Sequence, residues 1–166
     1  RTVDLAAHHG VAVGAHPGFP DRDGFGRRDL AMTPDELHDA VLYQLGALDA
    51  FLRPTGARLH HVKPHGALHH RIVRDEEAAD AVARAIHAFD PELPFVVLAG
   101  PGGEIMRRAG EHHDLPLLPE AFPDRGYLTS GHLAPRSRPD ALVTDPGTAA
   151  APSDRWSGSR GRGTPR

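Results

Sequence analysis

The chain has 166 residues, a formal net charge of -3, 39% hydrophobic and 25% charged residues, and no cysteine. That length holds one domain with a sizeable core, and the missing thiols exclude disulfides, thiolate catalysis and Cys-ligated zinc. The mild acidity gives no reason to expect nucleic acid or an anionic membrane as partner. No apolar run approaches the roughly 20 residues that span a bilayer, and the start has no signal-peptide pattern, so a cytoplasmic location is expected.

In chain order, Thr2 to His9 reads as two helical turns stopped by Gly10. Val11 to Ala15 is a β-rich run that ends at His16-Pro17. Proline cannot donate a ladder hydrogen bond, so the strand stops there. A polar, glycine-rich loop follows from Gly18 to Leu30. Thr33-Pro34-Asp35-Glu36 then opens a helix: Thr33 is the N-cap, Pro34 the first helical residue and Glu36 the capping-box partner. Leu37, Val41, Leu45, Leu48 and Leu52 give that helix one buried stripe. A second strand, Leu59 to Pro64, stops at Lys63-Pro64-His65-Gly66.

A further helix is expected from Asp75 to Phe89, with Ala79, Val82, Ala83 and Ile86 facing the core. The continuous apolar run from Pro94 to Gly100 suits a strand buried on both faces. A short helix from Glu104 to Ala109, a strand from Leu115 to Phe122 and a fifth strand over Ala141 to Thr144 complete the pattern. Alternating strands and helices predict an α/β fold with parallel pairing and right-handed crossovers, in fewer units than the eight of a closed barrel. From Pro146 to Arg166 the hydrophobic period disappears, which predicts a low-complexity tail beyond a domain of residues 1–145.

Ligands of α/β folds sit beyond the carboxyl ends of the strands. His16 and His65 stand at two such ends, and imidazole exchanges protons near neutral pH. Lys63 lies two residues before His65, on the same side of an extended strand. A lysine there meets either an anion in a pocket or an internal partner such as Glu120. Glu120 follows the fourth apolar run, with Asp124 and Arg125 close behind, and an Arg beside carboxylates suits a substrate carboxylate or phosphate. Asp21 and Arg27 in the glycine-rich loop are further candidates for substrate or phosphate contact, although the loop lacks the order and lysine of a P-loop. His16 and His65 are also the candidates should a metal be held. His8, His9, His112 and His113 read as helix-end residues, His60 and His61 as strand neighbours that cannot both face the pocket, and His69-His70 as the start of the segment after that strand.

Five segments, 10–21 (Gly-Val-Ala-Val-Gly-Ala-His-Pro-Gly-Phe-Pro-Asp), 24–28 (Gly-Phe-Gly-Arg-Arg), 62–68 (Val-Lys-Pro-His-Gly-Ala-Leu), 120–127 (Glu-Ala-Phe-Pro-Asp-Arg-Gly-Tyr) and 135–138 (Pro-Arg-Ser-Arg), closely resemble the bacterial 5-oxoprolinase A-subunit family, also called the lactam-utilisation family. The resemblance runs in order over residues 1–145. It implies a partial (β/α) barrel related to the distorted barrel of glycoside hydrolases and deacetylases. It also implies ATP-dependent opening of 5-oxo-L-proline to L-glutamate, with Mg2+ as the usual counter-ion of ATP and with partner subunits B and C. In the family the positions resembling His16, Lys63, His65, Glu120, Asp124 and Arg125 line the site.

The chain departs from the family pattern in three places. The Asp-Leu-Asn-x-Asp-x-Gly-Glu and Cys-Gly-x-His-Ala-Gly-Asp strands do not occur, nor does a Cys-Val-His-Gly-Asp segment, and His69 stands where the family has tyrosine. The expectation is a fragment from the middle of a family member, its tail altered as by a frame change. Two alternatives stay open: a metal-dependent amide or deacetylase-type hydrolase without ATP, and a non-catalytic remnant.

Overall fold

A computed structural model describes residues 1–150. Residues 1–120 and those from Ala121 onward form two compact units, a division that falls inside the expected domain of residues 1–145.

In the first unit, helix α1 (Thr2–His8) precedes strand β1 (Val13–Ala15), and α2 (Pro34–Leu52) connects it to β2 (Leu59–Val62). Helices α3 (Gly66–Ile72) and α4 (Glu76–Phe89) lead to β3 (Phe95–Leu98), and α5 (Glu104–His112) leads to β4 (Leu117–Glu120). The sheet order is β1-β2-β3-β4, with every pair parallel. Each strand adds beside the last with no reversal of direction. That sequential order is the winding of a (β/α) barrel and not of a doubly wound sheet. The first unit is therefore an α/β fold of partial-barrel type.

Local chemistry sets the helix ends as the sequence suggests. Thr33 and Glu36 form the reciprocal capping box, with Glu36 Oε2 accepting from the Thr33 backbone N–H at 2.8 Å. Asp75 caps α4 by accepting from Ala78 N–H at 3.0 Å. The stripe Leu37, Val41, Leu45 and Leu52 is fully buried, and α2 packs on α4. Helix α4 buries Ala78, Ala79, Ala81, Val82, Ala83, Ala85 and Ile86, because other helices lie along more than one of its sides. Phe95, with no exposed surface, anchors the centre of the sheet against this layer.

Register assigns the two faces of the sheet. Ala15, Val62, Phe95 and Leu117 are register partners and share the helix-covered face; Leu117 and Phe95 both lie against Gly110 of α5. The alternate positions, including His61, Lys63, Leu118 and Glu120, belong to the other face. Leu118 is 41% exposed there, so no helix of the described residues covers it.

Several expectations change. Strand β4 is shorter than Leu115 to Phe122, and helix α3 occupies the His69-His70 segment. The expected fifth strand at Ala141 to Thr144 does not form: Leu142 makes only an isolated antiparallel bridge to Arg125. With no neighbouring strand among the described residues, that short apolar run buries Ala141. The second unit is held by such loop contacts, among them Gly126 N–H to Ala141 O (3.1 Å) and Val143 N–H to Asp124 O (2.8 Å). Residues Pro146–Ala150 are a short helix, α6, and not structureless tail. The remainder of the expected tail, 151–166, lies outside the described residues.

Candidate active site

Past Ala15 and Val62 the two strands stop but their backbones continue in step. Lys63 N–H donates to Ala15 O at 2.9 Å, and His65 N–H donates to Pro17 O at 2.8 Å. This extension carries His16, Lys63 and His65 to the carboxyl end of the sheet at fixed spacing. Glu120 ends β4 at the same edge, its carbonyl accepting from Ala99 N–H at 2.8 Å.

Two polar pairs result. Lys63 Nζ meets Glu120 Oε1 at 2.5 Å, and both side chains are about one-third exposed, at 32% and 30%. Lys63 directly follows β2 and Glu120 ends β4, so the pair reaches over β3, across roughly 9.6 Å of sheet. The internal salt bridge and the pocket lysine anticipated for Lys63 are thus compatible with one geometry.

The second pair is His16 and His65. His16 Nδ1 donates to Lys63 O at 2.5 Å, and His65 Nε2 donates to Phe25 O at 2.8 Å. Carbonyls only accept, so both outer nitrogens carry hydrogen. The inner nitrogens, His16 Nε2 and His65 Nδ1, face each other at 3.0 Å. As two neutral rings they would oppose lone pair to lone pair. One proton between them, or a cation, satisfies both. Burial holds His16 below the ordinary imidazole range, reinforced by the charges of His65 and Lys63; its hydrogen bond to the Lys63 backbone and the charge of Glu120 oppose this.

The glycine-rich loop supplies Phe25 O. Asp21 is the loop's anchor: it accepts from Gly24 N–H at 3.0 Å and from the Arg28 guanidinium. The Arg28 hydrogen bonds hold its carboxyl down at about 2. The carboxylate expected to contact substrate is therefore engaged in shaping the loop. Arg27 is exposed, with its guanidinium 5.5 Å from the Phe25 ring centre. Gln44 of α2 clamps the loop from below, donating to Gly18 O at 2.9 Å and accepting from Gly18 N–H at 3.1 Å. At Gly66, with φ +57, a Cβ would collide with Gly26 O, the acceptor of Ala67 N–H. Only glycine fits where the loop docks on α3.

In the second unit, Arg125 is 8% exposed and donates Nε to Ala141 O (3.1 Å) and Nη2 to Ala134 O (2.7 Å). Burial, with the nearby charge of Arg136, lowers its proton affinity. Asp124 is exposed and contributes its backbone carbonyl to Val143.

His61 joins the site although the sequence pattern hides it. It shares the open face with Lys63, and its ring lies so close to Gly14 that a Cβ there would overlap it. Burial, then the charges of His60 and Lys63, lowers its proton affinity, while Glu120 raises it. The signal is the two-residue period His61, Lys63, His65, which the doublet His60-His61 masks.

Comparisons with known proteins identify the family of the chain. The family model described as LamB/YcsF family matches residues 1–156. The 5-oxoprolinase A subunit of Thermus thermophilus is 58% identical over 151 residues, covering 90% of this chain and 59% of that protein. That of Methylococcus capsulatus is 51% identical, covering 91% and 57%. The crystal structure of a lactam utilization protein from Thermus thermophilus superposes with a TM-score of 0.83 at 55% identity, covering 93% of this chain and 61% of the other. The chain thus spans about three-fifths of the length of these relatives. It belongs to the LamB/YcsF family and is similar to 5-oxoprolinase A subunits.

Proposed function

We propose that this chain contributes the lactam-opening site of a 5-oxoprolinase, as its A-type subunit with partner subunits B and C in the cytoplasm, converting 5-oxo-L-proline to L-glutamate with ATP. The observation that carries the reading is the strand-end pairing of His16 with His65 beside Lys63 with Glu120. The high identity with 5-oxoprolinase A subunits supports it.

The residues suit an anionic reaction partner. Lys63 offers an ammonium at the open end of the sheet, and Arg27 adds an exposed guanidinium in the loop beside His65. ATP, with its Mg2+, would phosphorylate the ring-amide oxygen with release of ADP, which would open the stable ring carbon to attack by water and let that oxygen leave as inorganic phosphate. Lys63 then holds developing negative charge, released toward it when Glu120 turns to water as a base. The His16–His65 pair carries a proton at the inner nitrogens and delivers it to the ring nitrogen as the C–N bond breaks. Asp21 acts indirectly by fixing the Phe25 carbonyl that orients His65. Asp124 and Arg125 are proposed as substrate- or phosphate-binding positions through the family resemblance alone.

The test is reconstitution with subunits B and C, following glutamate release with 5-oxo-L-proline and ATP. Release that requires both compounds supports the reading; release without ATP defeats it. One observation favours a second reading, a metal-dependent amide hydrolase: both outer imidazole nitrogens sit on backbone carbonyls, as they do in histidines that hold metals. Full activity with Mg2+ supplied for ATP, a chelator selective for transition metals present and no ion held at the His16–His65 pair removes that alternative.

A further inference from the structure

The first unit carries a second convergence of imidazole and carboxylate, away from the strand-end site. Helix α5 ends at His112, and β4 begins at Leu117, so this group lies toward the amino end of β4, whereas Glu120 closes its carboxyl end. We propose that Asp80, His112 and His113 form a binding site for a single divalent transition-metal ion of the zinc or nickel class, which pins α5 to α4.

The two helices are already held in a fixed register. Glu76 pairs with Arg108 at 3.6 Å, and one helical turn further along α4 Asp80 pairs with His113 at 2.8 Å. His87, two turns beyond Asp80, donates Nδ1 to His113 O at 2.9 Å and so holds the backbone from which His113 projects. One ligand atom each from Asp80, His112 and His113 lies within 4.8 Å of the others, and among the described residues this is the one group of three that does so.

A tetrahedral ion with bonds of about 2.0–2.1 Å needs its ligand atoms roughly 3.3 Å apart. The Asp80–His113 contact has to open slightly, and His112 has to move inward. His112 is exposed and meets His113 edge-on, ring centre to ring centre at 4.9 Å, so little resists that movement. His113 is the held member, with its side chain 18% exposed. Two imidazoles and one carboxylate favour zinc, nickel, cobalt or copper over magnesium or calcium, which prefer all-oxygen sets. Water completes the coordination on the exposed side.

The experiment uses the full chain without a polyhistidine tag, in equilibrium dialysis against Zn2+ and Ni2+, with Mg2+ and Ca2+ as controls. Thermal unfolding is followed in the same samples. The expected result is a single tightly held Zn2+ or Ni2+, a raised Tm with that ion, and no response to Mg2+ or Ca2+. His112→Ala and Asp80→Asn each weaken binding at least about tenfold and remove the Tm response. Both alter exposed or half-exposed side chains, and their unfolding in chelator verifies that they fold. A double variant His16→Gln/His65→Gln retains the ion. No bound ion, binding indifferent to His112→Ala and Asp80→Asn, or binding lost in the His16/His65 variant would each overturn the proposal.

Discussion

Lys63 and Glu120 meet at 2.5 Å although the strands that carry them are not neighbours. Their contact closes over β3 and holds a positive and a negative group at one end of the open sheet face. About two-thirds of each side chain is shielded, yet enough water reaches the pair that its net stabilisation is small.

The first prediction separates chemistry from stability at this pair. Lys63→Met and Glu120→Gln are each expected to lower glutamate release in the assembled enzyme at least about 100-fold. Unfolding free energy should change by no more than about 1 kcal/mol, as for other water-exposed ion pairs. Denaturant melts beside activity assays check this; equal losses in both would mean that the pair is structural.

Stability itself resides on the opposite face of the sheet. Phe95 is fully buried between β3 and the helices, and Phe95→Ala should cost about 3–5 kcal/mol through lost burial and the cavity left behind. Urea unfolding gives the value directly.

Acid should loosen the glycine-rich loop through Asp21. Its carboxyl falls from 3.8 to about 2 on folding, chiefly through the Arg28 hydrogen bonds. As pH drops, the unfolded chain therefore takes up this proton before the folded chain does. The stabilisation is complete above the unfolded value and is lost as pH falls through the window between the two. Asp21→Asn should lower Tm at neutral pH and flatten this part of the acid limb. An acid limb identical to that of the unaltered chain would exclude the role.

Gly66→Ala tests the docking of the same loop. A methyl group there meets Gly26 O and demands φ +57 of an L-residue. The expected loss is about 1–3 kcal/mol, with faster amide exchange in residues 24–28. Unchanged exchange would show that the loop does not depend on this contact.

How much of this was legible in the sequence depends on whether the signal was periodic or local. The strand-ending clusters at His16-Pro17 and Lys63-Pro64-His65-Gly66 were readable because proline and glycine interrupt β pairing by simple sterics. The capping box at Thr33 and Glu36 was readable for a similar reason: its hydrogen bonds are local. Loop residues were not. Asp21 looks like a free carboxylate until Arg28, seven residues on, is seen to hold it. Arg125 looks like an anion ligand until Ala134 O and Ala141 O are found around it. The run at Ala141 to Thr144 has strand composition but, among the described residues, no strand to pair with, a tertiary fact that no local pattern carries. Gln44 offered no signal at all, since one polar residue on an amphipathic helix is ordinary.

The most direct measurement is glutamate release by the enzyme assembled with subunits B and C, comparing the unaltered chain with His65→Gln at saturating 5-oxo-L-proline and ATP. Glutamine keeps a polar side chain at the position but cannot share a proton with His16 Nε2 as an imidazole does. The expected result is a loss of at least about 100-fold in turnover, with circular dichroism and Tm retained. Normal ATP-coupled release by a folded His65→Gln enzyme would contradict the assignment of lactam opening to this strand-end site.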